Sequence, residues 1–295
     1  MLGRVMPSGR AGRWVAAGLL LATWGVTSQL ALAPAASAAV TQPLYAYGSA
    51  HLHGSPGVAL SRPLVGMAPT VDGKGYWLVA ADGGIFSYGD AAFYGSSGNL
   101  QLNLPIVGMA ATPTGHGYWF VASDGGIFSY GDAHFFGSTG AMTLNKPIVG
   151  MAATRTGLGY WLVASDGGIF AFGDAHFYGS TGAIHLNKPI VGIAATPTGL
   201  GYWLVASDGG IFAFGDAHFY GSTGNIVLNK PIIGMTALPS GTGYWFVASD
   251  GGIFSYGSAP YLGSLAGAPL PEPIVGMAAS PTGAGYWLEL TGKVG

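Results

Sequence analysis

The tripeptide Gly-Tyr-Trp occurs six times, with its tyrosines at Tyr76, Tyr118, Tyr160, Tyr202, Tyr244 and Tyr286, and every interval is 42 residues. A fixed period of this size means that one supersecondary unit has been copied along the chain, in place of a single irregular globule. Copying of this kind says much about architecture and little about chemistry, because a motif present in every unit serves the scaffold first.

The unit from 147 to 188 shows the pattern. It reads Pro-Ile-Val-Gly-Met-Ala-Ala-Thr, a Gly-rich turn, Tyr-Trp-Leu-Val-Ala, Ser-Asp-Gly-Gly, Ile-Phe-Ala-Phe, Gly-Asp-Ala, His-Phe-Tyr-Gly, and a longer stretch ending in Asn187-Lys188. Four short runs rich in β-branched or aromatic residues, separated by Gly, Asp, Ser and Thr, predict four strands joined by tight turns. Asp166-Gly167 between two apolar runs predicts a hairpin with a type I′ turn. The second run is apolar at nearly every position, so both faces of its sheet must be covered. A radial stack of sheets meets that demand, which is the β-propeller arrangement.

The chain ends point the same way. The last copy stops after Gly285-Tyr286-Trp287-Leu288-Glu289-Leu290, short of its third and fourth strands, while 44–55 resembles those missing strands. Pairing the two halves would remove exposed sheet edges. The expected fold is therefore all-β: a six-bladed β-propeller of four-stranded antiparallel blades, closed by a two-plus-two blade, occupying 39–295 as a single domain.

Residues 1–38 differ from the rest. Arg4, Arg10 and Arg13 precede an apolar run from Trp14 to about Leu32, and Ala36-Ser37-Ala38 provides a small-x-small cleavage signal. This predicts a secretory signal peptide cleaved after Ala38, with a retained membrane anchor as the alternative. Cleavage would leave seven of the ten basic residues against all twelve acids, a formal charge of −5. That balance argues against nucleic acid as a partner, and cleavage of the signal would leave no membrane attachment. The absence of cysteine rules out disulfide and thiolate chemistry.

Two resemblances rest on the repeat itself. Pro-Ile-Val-Gly-Met-Ala-Ala followed by Ser-Asp-Gly-Gly-Ile-Phe-Ser-Tyr-Gly-Asp-Ala resembles the regulator-of-chromosome-condensation repeat over about half of each unit. That family forms propellers, and the resemblance implies the fold alone. The chain lacks its Gln-Leu-Gly after the fourth strand and adds Gly-Tyr-Trp. Across 39–295 the chain is similar to arrays of Gly-Tyr-Trp-Leu-Val-Ala-Ser-Asp-Gly-Gly in secreted actinobacterial proteins, which implies an extracellular or cell-envelope location.

Candidate chemistry is sparse. Nine of the ten aspartates fall in two repeated slots, Asp82, Asp124, Asp166, Asp208 and Asp250, then Asp90, Asp132, Asp174 and Asp216. Both slots are turn contexts, where a carboxylate binds nearby backbone N–H groups. His51, His134, His176 and His218 share a slot on the fourth run, where neighbouring copies would stand about 20 Å apart. They cannot share one metal ion, and neither a metal nor a cofactor is expected. No acid, His or Ser recurs on the first strand, so no catalytic residue is assigned.

The slots that vary stand just before the inner-strand proline. Arg62, Leu104, Lys146, Lys188, Lys230 and Glu272 fill one, and Ser61, Asn103, Asn145, Asn187, Asn229 and Pro271 the other. Arg62, Asn145, Lys146, Asn187, Lys188, Asn229 and Lys230 are the candidate ligand-binding residues, expected at a channel mouth, where they would hold an anion or an acidic sugar. The alternative is a solvated rim. The expected function is a secreted, non-enzymatic binding module for a glycan, cell-wall polymer or protein. A structural or adhesive surface protein is the alternative, and a propeller-type hydrolase or lyase stands last.

Overall fold

In the computed structural model, which describes residues 43–295, each repeat contributes three strands. The first repeat supplies β2 (Leu64–Pro69), β3 (Gly75–Ala80) and β4 (Ile85–Gly89), and the second β5 (Ile106–Ala111), β6 (Gly117–Ala122) and β7 (Ile127–Gly131). The third supplies β8 (Ile148–Ala153), β9 (Gly159–Ala164) and β10 (Ile169–Gly173), and the fourth β11 (Ile190–Ala195), β12 (Gly201–Ala206) and β13 (Ile211–Gly215). The fifth supplies β14 (Ile232–Ala237), β15 (Gly243–Ala248) and β16 (Ile253–Gly257). The sixth unit joins β17 (Ile274–Ala279) and β18 (Gly285–Leu290) to β1 (Leu44–Gly48). The result is six separate three-stranded antiparallel sheets in a propeller-like repeat, with no helix among the described residues. The signal-peptide expectation lies outside the described residues.

Two expectations need correction. The sheets have three strands, not four, and the sheet joining the chain ends takes one strand from the N-terminal side and two from the C-terminal side. The fourth run is instead a strap whose backbone groups bond to side chains. In the third repeat the Trp161 indole donates to His176 O at 2.7 Å, while Tyr202 of the next sheet donates its hydroxyl to Gly179 O at 2.6 Å. The Tyr202 hydroxyl also accepts from Tyr178 N–H at 3.1 Å. Gly179 has φ 137°, which no strand ladder accommodates.

The same strap occurs in every unit. The tryptophans of all six Gly-Tyr-Trp copies donate to the strap of their own sheet at 2.7–2.8 Å. The tyrosines of the same six copies donate to the strap of the preceding sheet at 2.5–2.8 Å. At the junction of the chain ends, Trp287 bonds to His51 O and Tyr76 to Gly54 O, so the strap there comes from the N-terminal side.

The middle strands β3, β6, β9, β12, β15 and β18 are buried at every position, as their apolar sequence predicts. Strand alternation points Trp toward the following sheet and Tyr toward the preceding one, and the two rings meet across the gap. Trp161 and Tyr202 lie 5.7 Å apart by centroid, and Trp287 and Tyr76 5.9 Å. Such edge-on and tilted pairs add about 0.5–1.5 kcal/mol beyond their buried area. Burial raises the tyrosine phenols, Tyr286 to about 12, so the hydroxyls remain donors through neutral pH.

The first strands neighbour one another in the order β2, β5, β8, β11, β14, β17 and back to β2. Each begins with a β-bulge, as where Ile190 pairs with Ala206 and Gly192 with Val205, which increases the local twist. A backbone bond ties each to the unit before it, Ile190 N–H to Ser165 O and Ile232 N–H to Ser207 O. Leu64 N–H makes the equivalent bond to Thr291 O at 2.8 Å, so the junction of the chain ends repeats the internal contact.

The hairpin between second and third strands also differs from the expected type I′ turn. Gly167 N–H bonds to Ala164 O and Ala164 N–H to Gly168 O, and of the two glycines only Gly167, at φ 77°, has positive φ. This is a three-residue loop with its glycine in the left-handed region.

Replacing Trp161 by Ala removes a fully buried ring and orphans His176 O; the expected loss is about 3–5 kcal/mol of stability by denaturant unfolding. Tyr202→Phe keeps the ring but leaves Gly179 O and Tyr178 N–H unpartnered, for an expected loss of about 1–3 kcal/mol.

Candidate ligand-binding grooves

Connections from a strap to the next first strand border open grooves, and three of these, two of them in adjacent repeats, have closely similar linings. One, of about 510 Å³, is lined by Lys146, Ser165, Asp166, Ile184, Asn187 and Lys188, among others. The next, of about 310 Å³, presents Lys188, Ser207, Asp208, Ile226, Asn229 and Lys230. A third, of about 490 Å³, carries Arg62, Asp82, Leu100, Asn103 and Leu104. Lys188 borders two grooves, so adjacent sites share a wall.

Local chemistry builds the groove. Thr181 N–H bonds to Gly167 O and its hydroxyl to Asp166 O at 3.1 Å, pinning the connecting loop to the hairpin. Leu186 is half-buried and packs into the apolar cluster around Trp161 and Tyr202, which anchors the loop's far end. Ser165 N–H bonds to Pro147 O, fixing the proline that follows Lys146. Between these anchors Ile184 is left 55% exposed, enough to offer apolar contact to a ligand.

The polar groups differ in how far the fold uses them. Asp166 Oδ1 accepts from Gly168 N–H at 3.0 Å, and the four sister aspartates do the same. That is the turn role expected from sequence. In the second aspartate slot, Asp174 accepts from Thr154 at 2.8 Å and from Thr156, and Asp216 accepts from Thr196 and Thr198. These carboxylates brace the turn between first and second strands. By contrast, the single ion pair among the described residues is Lys74 with Asp72. Among the described residues Lys146, Lys188 and Lys230 have no ion-pair partner, and Asn145, Asn187 and Asn229 make no side-chain hydrogen bond.

Lys146, Asn187 and Lys188 share one groove, Lys188, Asn229 and Lys230 the next, and Arg62 stands in the third. Asn145 is exposed beside Lys146 and lines none of the three. The channel between the first strands, about 160 Å³, is lined by Val, Ile, Gly and Met alone, and none of the seven reaches it. The repeated histidines His134, His176 and His218 are exposed, and their backbone oxygens, not their rings, serve the Trp bond. Among the described residues no three His, Asp or Glu side chains gather closely enough to hold a metal ion.

Sequence reasoning missed one repeated surface feature. Phe93, Phe135, Phe177, Phe219 and Tyr261 recur at 42-residue spacing and are 61–64% exposed. The signal was a pair of adjacent large apolar residues in the strap, aromatic in four of the five, of which only the second faces inward. Comparison with protein-family models and with curated proteins finds no match for the chain.

Asp166→Ala should cost about 1 kcal/mol by losing the turn bond, whereas Asp166→Asn, which keeps an acceptor oxygen, should leave the melting temperature nearly unchanged. Equal destabilisation by both would mean that the charge, not the turn bond, carries the role.

Proposed function

We propose that the protein is a secreted six-bladed β-propeller of three-stranded blades that binds a repeating anionic polymer, a glycan or cell-wall polymer, along successive inter-blade grooves. The propeller reading is supported by the cyclic neighbour order of the first strands and by the recurrence at the chain ends of the bonds that join internal repeats. Secretion rests on the predicted signal peptide.

The observation that carries the binding reading is the lining of the grooves. Lys146, Lys188 and Lys230 stand unpaired in consecutive units, each with an unused asparagine beside it and an exposed aliphatic side chain within the same groove. An ammonium offers an anionic group a charge-assisted hydrogen bond, the amide pairs with hydroxyls or carbonyls, and the aliphatic side chain covers an apolar sugar face or linker. A ligand that repeats engages several such grooves at once, and linked weak contacts can gain about 10²–10⁴ in avidity.

The exposed rings at Phe93, Phe135, Phe177, Phe219 and Tyr261 favour a second reading, an adhesive surface protein with no defined small ligand. Exposed apolar groups outside the core often mark contact surfaces.

A glycan array, followed by titration calorimetry with the best polymer, separates the two. Under the binding reading, the combined Lys146→Ala, Lys188→Ala and Lys230→Ala variant loses at least about tenfold in affinity at low salt, and raising the salt weakens wild type more than the variant. Unchanged affinity in the variant would sink the groove assignment.

A further inference from the structure

Glu289 stands where every other repeat has valine. Val79, Val121, Val163, Val205 and Val247 occupy the fifth position of the middle strand, and β18 alone replaces this residue by an acid. Glu289 is fully buried, with 0% of its surface exposed. Neither carboxyl oxygen has a hydrogen-bond partner. It is therefore an uncompensated acid in a position that five sister units keep apolar.

Its place in the fold gives the substitution meaning. On β18, Tyr286, Leu288 and Leu290 pack with the fifth repeat, while Trp287 packs with Leu64, Tyr76 and Leu78 of the first. Strand alternation puts Glu289 on the Trp287 face, between the last sheet and the first. In the ladder it pairs with Leu44 of β1 and with Gly276 of β17. A methyl group at Gly276 would come within 2.9 Å of Glu289 Oε2, so the carboxyl fills the space above this glycine. The site is the junction where the two chain ends meet.

Among the described residues no neighbour compensates the acid. β17 and β2 carry no ionisable side chain. On β1, Tyr45 and Tyr47 pack on the opposite face, with the fifth repeat. On β3, Tyr76 commits its hydroxyl to Gly54 O, His53 N–H and Gly54 N–H. Beyond the strand ends, Glu272 accepts from Thr291, and Arg62 and Lys293 pair with no acid. Burial without a partner holds the Glu289 carboxyl well above the usual range.

We propose that Glu289 makes the junction between the last and first repeats a proton-dependent latch, tight while the carboxyl is neutral and loosened when it ionises. An apolar residue would lock this junction as the valines lock the other five. An acid makes its closure depend on the surroundings, and it does so on β18, whose pairing with β1 joins the two chain ends and is the one strand pairing among the described sheets that no hairpin ties. The folded state keeps the proton that the unfolded state releases above about pH 4.3. Unfolding therefore releases a proton in that range, and stability falls as pH rises, by up to about tenfold in the unfolding equilibrium constant per pH unit until the folded-state carboxyl ionises.

Glu289→Val, which restores the residue of the other repeats, and Glu289→Gln, which keeps the shape, test this. Unfolding equilibria of wild type and both variants are compared from pH 4.5 to 9, so that pH effects from other groups cancel in the difference. The expected result is a stability advantage of each variant that widens with pH. Hydrogen exchange, compared with Glu289→Gln at each pH, should show wild-type β1 and β18 opening progressively as pH rises while β9 does not change. A pH-independent difference, or acceleration spread evenly over all six sheets, would overturn the latch.

Discussion

The structure depends on one tyrosine hydroxyl per repeat that belongs to two repeats at once. Its ring lies on a fully buried strand of one sheet, and its oxygen holds the strap of the sheet before it, donating to a glycine carbonyl and accepting from a backbone N–H. The tryptophan beside it holds the strap of its own sheet. Each strap is thus fastened at two points to two different units. Backbone groups that would be orphaned without a fourth strand are satisfied by these two side chains, as buried backbone must be. The glycine carbonyl needs close approach and a backbone angle that suits glycine, so the glycine of the strap and the tyrosine of the next unit form a matched pair.

A scaffold held in this way leaves few side chains free. Most aspartates are consumed in turns, the middle strands are wholly buried, and the channel offers only apolar side chains. Chemistry falls to the positions the scaffold does not use, in the loops between strap and first strand, and to the places where one copy departs from the rest. Lys146, Lys188 and Lys230 are of the first kind. Glu289 is of the second, and its burial at the junction makes it costly unless neutral. Loops on a rigid frame are where binding residues gather, and near-identity of the frames makes the departures informative.

Much of the fold was legible because strand alternation and turn chemistry are local. The continuous apolar run at 160–164 announced a strand covered on both faces, and the resemblance of 44–48 to 85–89 announced that the chain ends share a sheet. The fourth strand was misread because Phe177-Tyr178-Gly179 has strand composition. Whether such a run pairs with a neighbouring strand or is captured by side chains depends on residues about 24 positions further on, which local propensity cannot see. The Asp-Gly hairpin was recognised but its turn was misassigned, since a second glycine allows either loop length. The groove residues were picked out by their variation. Their position away from the channel lining follows from the proline that the hairpin backbone fixes, a tertiary contact.

By itself the sequence determined the period, the strands, the turns and the burial of the Gly-Tyr-Trp strand, because these follow from side-chain polarity and backbone freedom within a few residues. Tertiary structure decided that each sheet stops at three strands, which face of β18 meets the first repeat, and that Glu289 has no partner. Those outcomes turn on which atoms from distant segments arrive within hydrogen-bonding reach. A 42-residue period implies that such meetings recur, but not which atoms make them.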